Sequence, residues 1–136
     1  MDEKALIRAA LRARQRAYAP YSHYGVGAAL LAASGRVYEG CNIENAAFGP
    51  SNCAERTAFF KAVSEGERDF EAIAIVGGPQ GGALQSSISP CGVCRQVMAE
   101  FCDPGFRVLL AWGEEEYRAF TLRQLLPMGF GPRNLE

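Results

Sequence analysis

Two short segments hold the residues best suited to chemistry: Cys53-Ala54-Glu55 and Pro90-Cys91-Gly92-Val93-Cys94. Zinc binds ligands that converge tetrahedrally, and a catalytic zinc keeps one position for water. Cys53, Cys91 and Cys94 would supply three thiolates and leave that position free. Cysteines at i and i+3 at a helix start project to one side. A helix N-terminus also favours the thiolate, because its free N–H groups and dipole stabilise negative charge. Glu55 stands two residues after the first cysteine, placed to reach a metal-held water as a general acid/base without being a ligand. Three thiolates around a divalent ion leave an excess negative charge, which makes bound water less acidic than neutral ligands would. Arg56, next to Glu55, can donate hydrogen bonds to thiolate sulfur and offset that charge.

Other readings of the cysteines stay open at this level. A Cys-x-x-Cys can be a redox pair, although such a pair needs no Cys-Ala-Glu upstream. A closed structural zinc would need a fourth ligand from Cys41, Cys102 or His23. Cys41 and Cys102 read more simply as buried thiols, and His23 as a solvated loop residue.

The chain has 136 residues, 49% hydrophobic and 21% charged, which suits one soluble domain spanning 1–136 with one core. Its formal net charge of -1 shows no basic excess, so a small, weakly charged ligand fits better than a nucleic-acid polymer. The N-terminus lacks the apolar segment of a signal peptide, and no apolar run is long enough to span a membrane. A cytoplasmic location is expected. Five cysteines, an odd number, then suit metal or buried-thiol roles better than a disulfide framework.

The elements that must position the two segments follow from periodicity. Residues 2–18 alternate apolar and charged positions with a helical period, stopped by Ala19-Pro20. Val26–Ala33 and Arg36–Asn42 flank Ser34-Gly35 as a β-hairpin. Helices are expected over Cys53–Val63 and Cys91–Cys102, the second with Ser89 as N-cap and Pro90 at its first position. Ala72–Val76, Arg107–Ala111 and Tyr117–Phe120 read as strands, and Gly77–Ser89 as a flexible surface loop. Thr121 and Gln124 have capping-box spacing and open a last short helix, closed by Pro127. The pattern predicts an α/β fold: a mixed sheet with helices packed on its faces. The two cysteine-bearing helix starts are expected near each other at one end of the sheet.

The surrounding residues are more specific. Gly40-Cys-Asn-Ile-Glu-Asn-Ala46, Cys53-Ala-Glu-Arg-Thr-Ala58, Ser89-Pro-Cys-Gly-Val-Cys-Arg-Gln96 and Leu125-Leu-Pro127 resemble the small, homo-oligomeric cytidine deaminases. The match runs from Tyr18-Ala-Pro-Tyr-Ser22 to Leu135, and its cysteine and glutamate pattern is the zinc-deaminase signature in three-cysteine form.

The resemblance implies a three-layer fold with a five-stranded mixed sheet, and one Zn2+ per subunit. It implies hydrolysis of cytidine and deoxycytidine to the uridines with release of ammonia, as in pyrimidine salvage. Water activated by zinc would attack C4 of cytosine while Glu55 carries protons to N3 and to the departing amine. It further implies that Asn42 and Glu44 bind the ribose 3′-hydroxyl and that the Ala54 backbone contacts the base. Tyr24 stands where the family usually has Phe against the base, and Phe48 stands where Tyr is common. Phe130 corresponds to a C-terminal aromatic that reaches a neighbour's site, within a homotetramer whose active sites are shared.

Three rivals remain at this level: a deaminase of a cytosine-nucleoside antibiotic, a polynucleotide editor, and a non-catalytic zinc-stabilised module. Asn42, Glu44 and Cys53-Ala-Glu-Arg favour ordinary cytidine over an antibiotic. An editor would need a basic channel with added aromatics.

Overall fold

The structure is a computed structural model describing Met1–Glu136. Helix α1 (Glu3–Arg14) leads to strands β1 (Tyr24–Ala32) and β2 (Val37–Cys41), then α2 (Ala54–Ser64) and β3 (Phe70–Pro79). Helix α3 (Gly92–Phe101), strands β4 (Arg107–Ala111) and β5 (Tyr117–Thr121), and the short α4 (Leu122–Leu125) follow. A 3-10 turn, Pro132–Leu135, ends the chain.

The five strands form one mixed sheet in the order β2-β1-β3-β4-β5. Only β3 and β4 are parallel; β1 runs antiparallel to both β2 and β3, and β5 antiparallel to β4. Strand side chains alternate between faces, and here both faces are covered. Ala28, Leu30, Ile73, Ile75, Val108 and Leu110 join Ala54, Ala58, Phe59 and Met98 of α2 and α3 in one core. Their neighbours Ala29, Leu31, Ala74, Val76, Leu109 and Ala111 join Leu6, Ile7, Ala9 and Ala10 of α1 in the other. The expected α/β sandwich with helices on both faces is therefore present.

The parallel pair explains why the two cysteine segments meet. Helix α2 leads into β3 and α3 leads into β4, each returning along its own strand. Because β3 and β4 point the same way, both helix N-termini lie at the same sheet end, the carboxyl end of those strands. Ligand sites in α/β sheets gather there for this reason.

Several element boundaries differ from the sequence expectation. Helix α1 stops at Arg14 rather than running to 18. The backbone of Tyr18 is used instead to extend the sheet edge: its N–H donates to Asn42 O at 2.9 Å, and its carbonyl accepts from Glu44 N at 2.9 Å. Gly77 and Gly78 belong to β3, paired with Val26 and Gly25, not to the loop. A side chain would not fit at Gly78, where an added Cβ would lie 2.5 Å from Ala83 O; at Gly77 it would press on the tip of Ile88, 2.7 Å from Cδ1. The N-cap of α3 is Cys91, not Ser89, and Pro90 precedes the cap. The capping box of Thr121 and Gln124 forms as its spacing predicts.

Candidate metal centre and pocket

Both helices that carry the cysteines are capped by one of them. Cys53 is the N-cap of α2 and Cys91 the N-cap of α3, each with extended backbone. Cys94 follows in the first turn of α3 and is buried. The Cys91 sulfur accepts from Cys94 N at 3.5 Å, which satisfies one of the free N–H groups of that helix start.

The three sulfurs all lie within 4.8 Å of one another. Cys53 and Cys91 are 3.7 Å apart, and Cys91 and Cys94 3.2 Å. Zinc–sulfur bonds of about 2.3 Å set tetrahedral sulfur–sulfur edges of about 3.8 Å. The cluster therefore fits one zinc after a slight opening of the Cys91–Cys94 edge. His23, Cys41 and Cys102 are not part of it. The Cys41 thiol donates to Arg16 O at 3.3 Å, and burial pushes the Cys102 thiol up.

The electrostatics suit a cation. Hydrogen bonds from the Cys94 thiol, and then from Arg56 and Cys91, hold the Cys53 thiol below its usual range. Arg56 Nη2 donates to the Cys53 sulfur at 3.4 Å. Cys94 moves the other way, because Cys53 and burial both hold its proton. Glu55 is 4% exposed. Burial pushes its carboxyl up to about 7, helped by the negative charge of Cys53.

A pocket of about 530 Å³ opens on this cluster. Tyr24, Asn42, Glu44, Ala54, Glu55 and Arg56 line it together with Cys53 and Cys91. Asn42 sits just past β2 and bonds to β1: its Oδ1 accepts from Val26 N at 2.9 Å and its Nδ2 donates to Tyr24 O at 2.8 Å. An amide has four hydrogen-bond positions, so one N–H and one lone pair remain. Glu44 accepts from Tyr21 N at 3.0 Å, from Ser22 N at 3.1 Å and from the Ser22 hydroxyl. The Ser22 contacts hold its carboxyl below the usual range, so it stays ionised. The Tyr24 hydroxyl donates to Gln85 Oε1 at 2.7 Å, tying the pocket wall to the loop after β3.

Two of the aromatics singled out in the sequence are elsewhere. Phe48, 69% exposed, packs edge-on against Tyr21 with ring centroids 6.1 Å apart. Phe130, 58% exposed, lines a separate groove of about 430 Å³ formed by α3, α4 and the C-terminal tail. Conversely, Val26, Ser51, Asn52, Ser87 and Ile88 line the pocket without having been singled out, as does Ser89, expected only as a helix cap. Most of these directly precede Cys53 or Pro90-Cys91, and that adjacency was the signal available.

A family model described as "Cytidine and deoxycytidylate deaminase zinc-binding region" matches residues 1–109, which include all three cysteines and Glu55. The cytidine deaminase of Sporosarcina psychrophila is 50% identical over 135 residues, covering 99% of this chain and 96% of its own length. That of Halalkalibacterium halodurans is 49% identical over 130 residues, covering 96% and 95%. The crystal structure of cytidine deaminase from Burkholderia pseudomallei matches with a TM-score of 0.86 at 48% identity, covering 96% of this chain and 100% of that one. With fold, cysteine cluster and sequence in agreement over this length, the chain belongs to the cytidine and deoxycytidylate deaminase zinc-binding family.

Proposed function

We propose that residues 1–136 form one zinc-dependent deaminase domain that hydrolyses cytidine and deoxycytidine to uridine and deoxyuridine, releasing ammonia. The observation that carries this reading is the convergence of the Cys53, Cys91 and Cys94 sulfurs within 4.8 Å beside a buried Glu55. Zinc held there would act as a Lewis acid and make water nucleophilic near neutral pH.

The chain's own residues supply the rest. Glu55 takes one proton from the attacking water and delivers it to ring N3. As the C4–oxygen bond forms and the C4–nitrogen bond breaks, Glu55 passes the second proton from that oxygen to the exocyclic amine, which leaves as ammonia. The free N–H of Asn42 and the ionised carboxylate of Glu44 bind a sugar hydroxyl, one donating and one accepting. Tyr24 presents its ring to the base, and the Ala54 backbone completes the base contact. Arg56 offsets the negative charge that three thiolates place around the metal.

The exposed Phe48 and Phe130 belong, in this reading, to sites completed by neighbouring subunits of a homotetramer. No helix is long and apolar enough to cross a membrane. Free thiols throughout favour a reducing, cytoplasmic setting.

An ultraviolet assay of the zinc-loaded protein with cytidine, deoxycytidine, CMP and adenosine tests the reading. Cytidine and deoxycytidine should be consumed. Glu55→Gln should retain zinc and lose about 10²–10⁴-fold in turnover, the usual worth of general acid–base catalysis. Failure to release ammonia from either nucleoside would overturn the proposal.

A further inference from the structure

The two cysteine-capped helix starts are not held in the same way. Helix α2 is clamped to the sheet by its backbone: at Gly40, in β2, an added Cβ would lie 2.5 Å from Ala54 O and 2.6 Å from Ala58 N. The start of helix α3 is more open at its first residue. An added Cβ at Gly92 would meet nothing within 4 Å. Cys91 is the exposed member of the cluster. The turn that carries it ends the stretch after β3, between the buried Pro90 and the open Gly92.

Arg95 is the group in place to hold that turn. It stands on α3 one residue after Cys94. Its Nε donates to Pro90 O at 2.8 Å, its Nη2 to Ser89 Oγ at 2.5 Å, and its Nη1 to Leu125 O at 2.6 Å. Two of these acceptors lie in the two residues before Cys91, and the third closes α4. One planar fork thus joins the metal turn, the first turn of α3 and the C-terminal helix. Arg56 touches sulfur directly; Arg95 instead touches the backbone and side chain that aim a sulfur.

We propose that Arg95 is a positioning residue that fixes the Cys91 turn for metal retention, coupling it to α4 through the Leu125 carbonyl. This rests on the reading that the three cysteines hold zinc. Groups that orient a ligand commonly change metal affinity by about 10–100-fold when removed. A lysine would keep the charge but cannot span three acceptors in fixed directions.

The test is zinc release from purified, zinc-loaded protein to a chromogenic chelator in excess, beside the thermal midpoint of each zinc-free form. Arg95→Lys should release zinc about tenfold faster, with a zinc-free midpoint close to wild type. Ser89→Ala removes one surface contact and keeps the proposal testable if the arginine variant does not fold; it should speed release several-fold. Wild-type release from the variants that fold would overturn the proposal. So would a lowered zinc-free midpoint without faster release, the mark of a purely structural role. A wild-type protein that holds no zinc would instead overturn the metal site itself, and this role with it.

Discussion

Helices α2 and α3 begin with the same device and are built differently around it. Each places a cysteine at the N-cap, but only the Cys91 sulfur accepts a backbone N–H, from Cys94, while Cys53 makes no side-chain cap bond. The start of α2 is embedded: Ala54 and Glu55 are buried, and Gly40 lets the helix backbone lie directly on β2. There Asn52 Nδ2 donates to Thr57 Oγ1 at 3.3 Å, and Thr57 Oγ1 donates to Cys53 O at 3.1 Å. The start of α3 is open at Gly92 and rests on the guanidinium of Arg95. The embedded start carries Glu55, the group proposed to move protons, and burial there raises its carboxyl pKa. The open start carries two ligands and borders the pocket mouth at Ser87–Ser89. Backbone packing therefore supports the helix start that carries Glu55, and a side-chain clamp supports the turn that carries Cys91.

Gly40→Ala should break the embedded side and have the largest effect. The new methyl group would strike helix backbone rather than a flexible side chain, so α2 must move. A loss of about 3 kcal/mol in urea denaturation is expected, at the upper end for overpacking. Activity should fall as well, because Cys53 and Glu55 ride on the same helix. Gly92→Ala, where space is open, is the matched control. If the two variants were equally stable, the contrast between the helix starts would fail.

Arg56→Ala sharpens the comparison from the charge side. It removes the donor to the Cys53 sulfur while leaving the Gly40 packing in place. Zinc affinity or turnover should drop by about 10–100-fold, with the fold largely retained by circular dichroism. Full zinc content together with wild-type turnover would remove Arg56 from the site.

The chemistry was legible in the sequence because zinc and general acid–base catalysis demand particular residue types at close spacing. Cys53, Cys91 and Cys94 stand out on those grounds together with their match to the zinc-deaminase signature, and the structure brings their sulfurs together. The hairpin, both cysteine-led helices and the capping box at Thr121 were legible because their signals are local. What was not legible depends on distant partners. Gly77-Gly78 reads as loop, yet it extends β3, since its tolerance for Ile88 and Ala83 cannot be read from neighbouring residues. Arg95 reads as part of a motif, but its three acceptors are gathered only by the fold. Phe48 lies outside the pocket, a separation that no local pattern reveals, whereas Phe130 lies outside it as the family resemblance implies.

The central claim is that three thiolates, and no fourth protein ligand, hold one zinc. X-ray absorption at the zinc edge of the purified protein tests it most directly. The account predicts three sulfur neighbours at about 2.3 Å and one oxygen at about 2.0 Å. Four sulfur neighbours, which would recruit Cys41 or Cys102 and close the site, would contradict it.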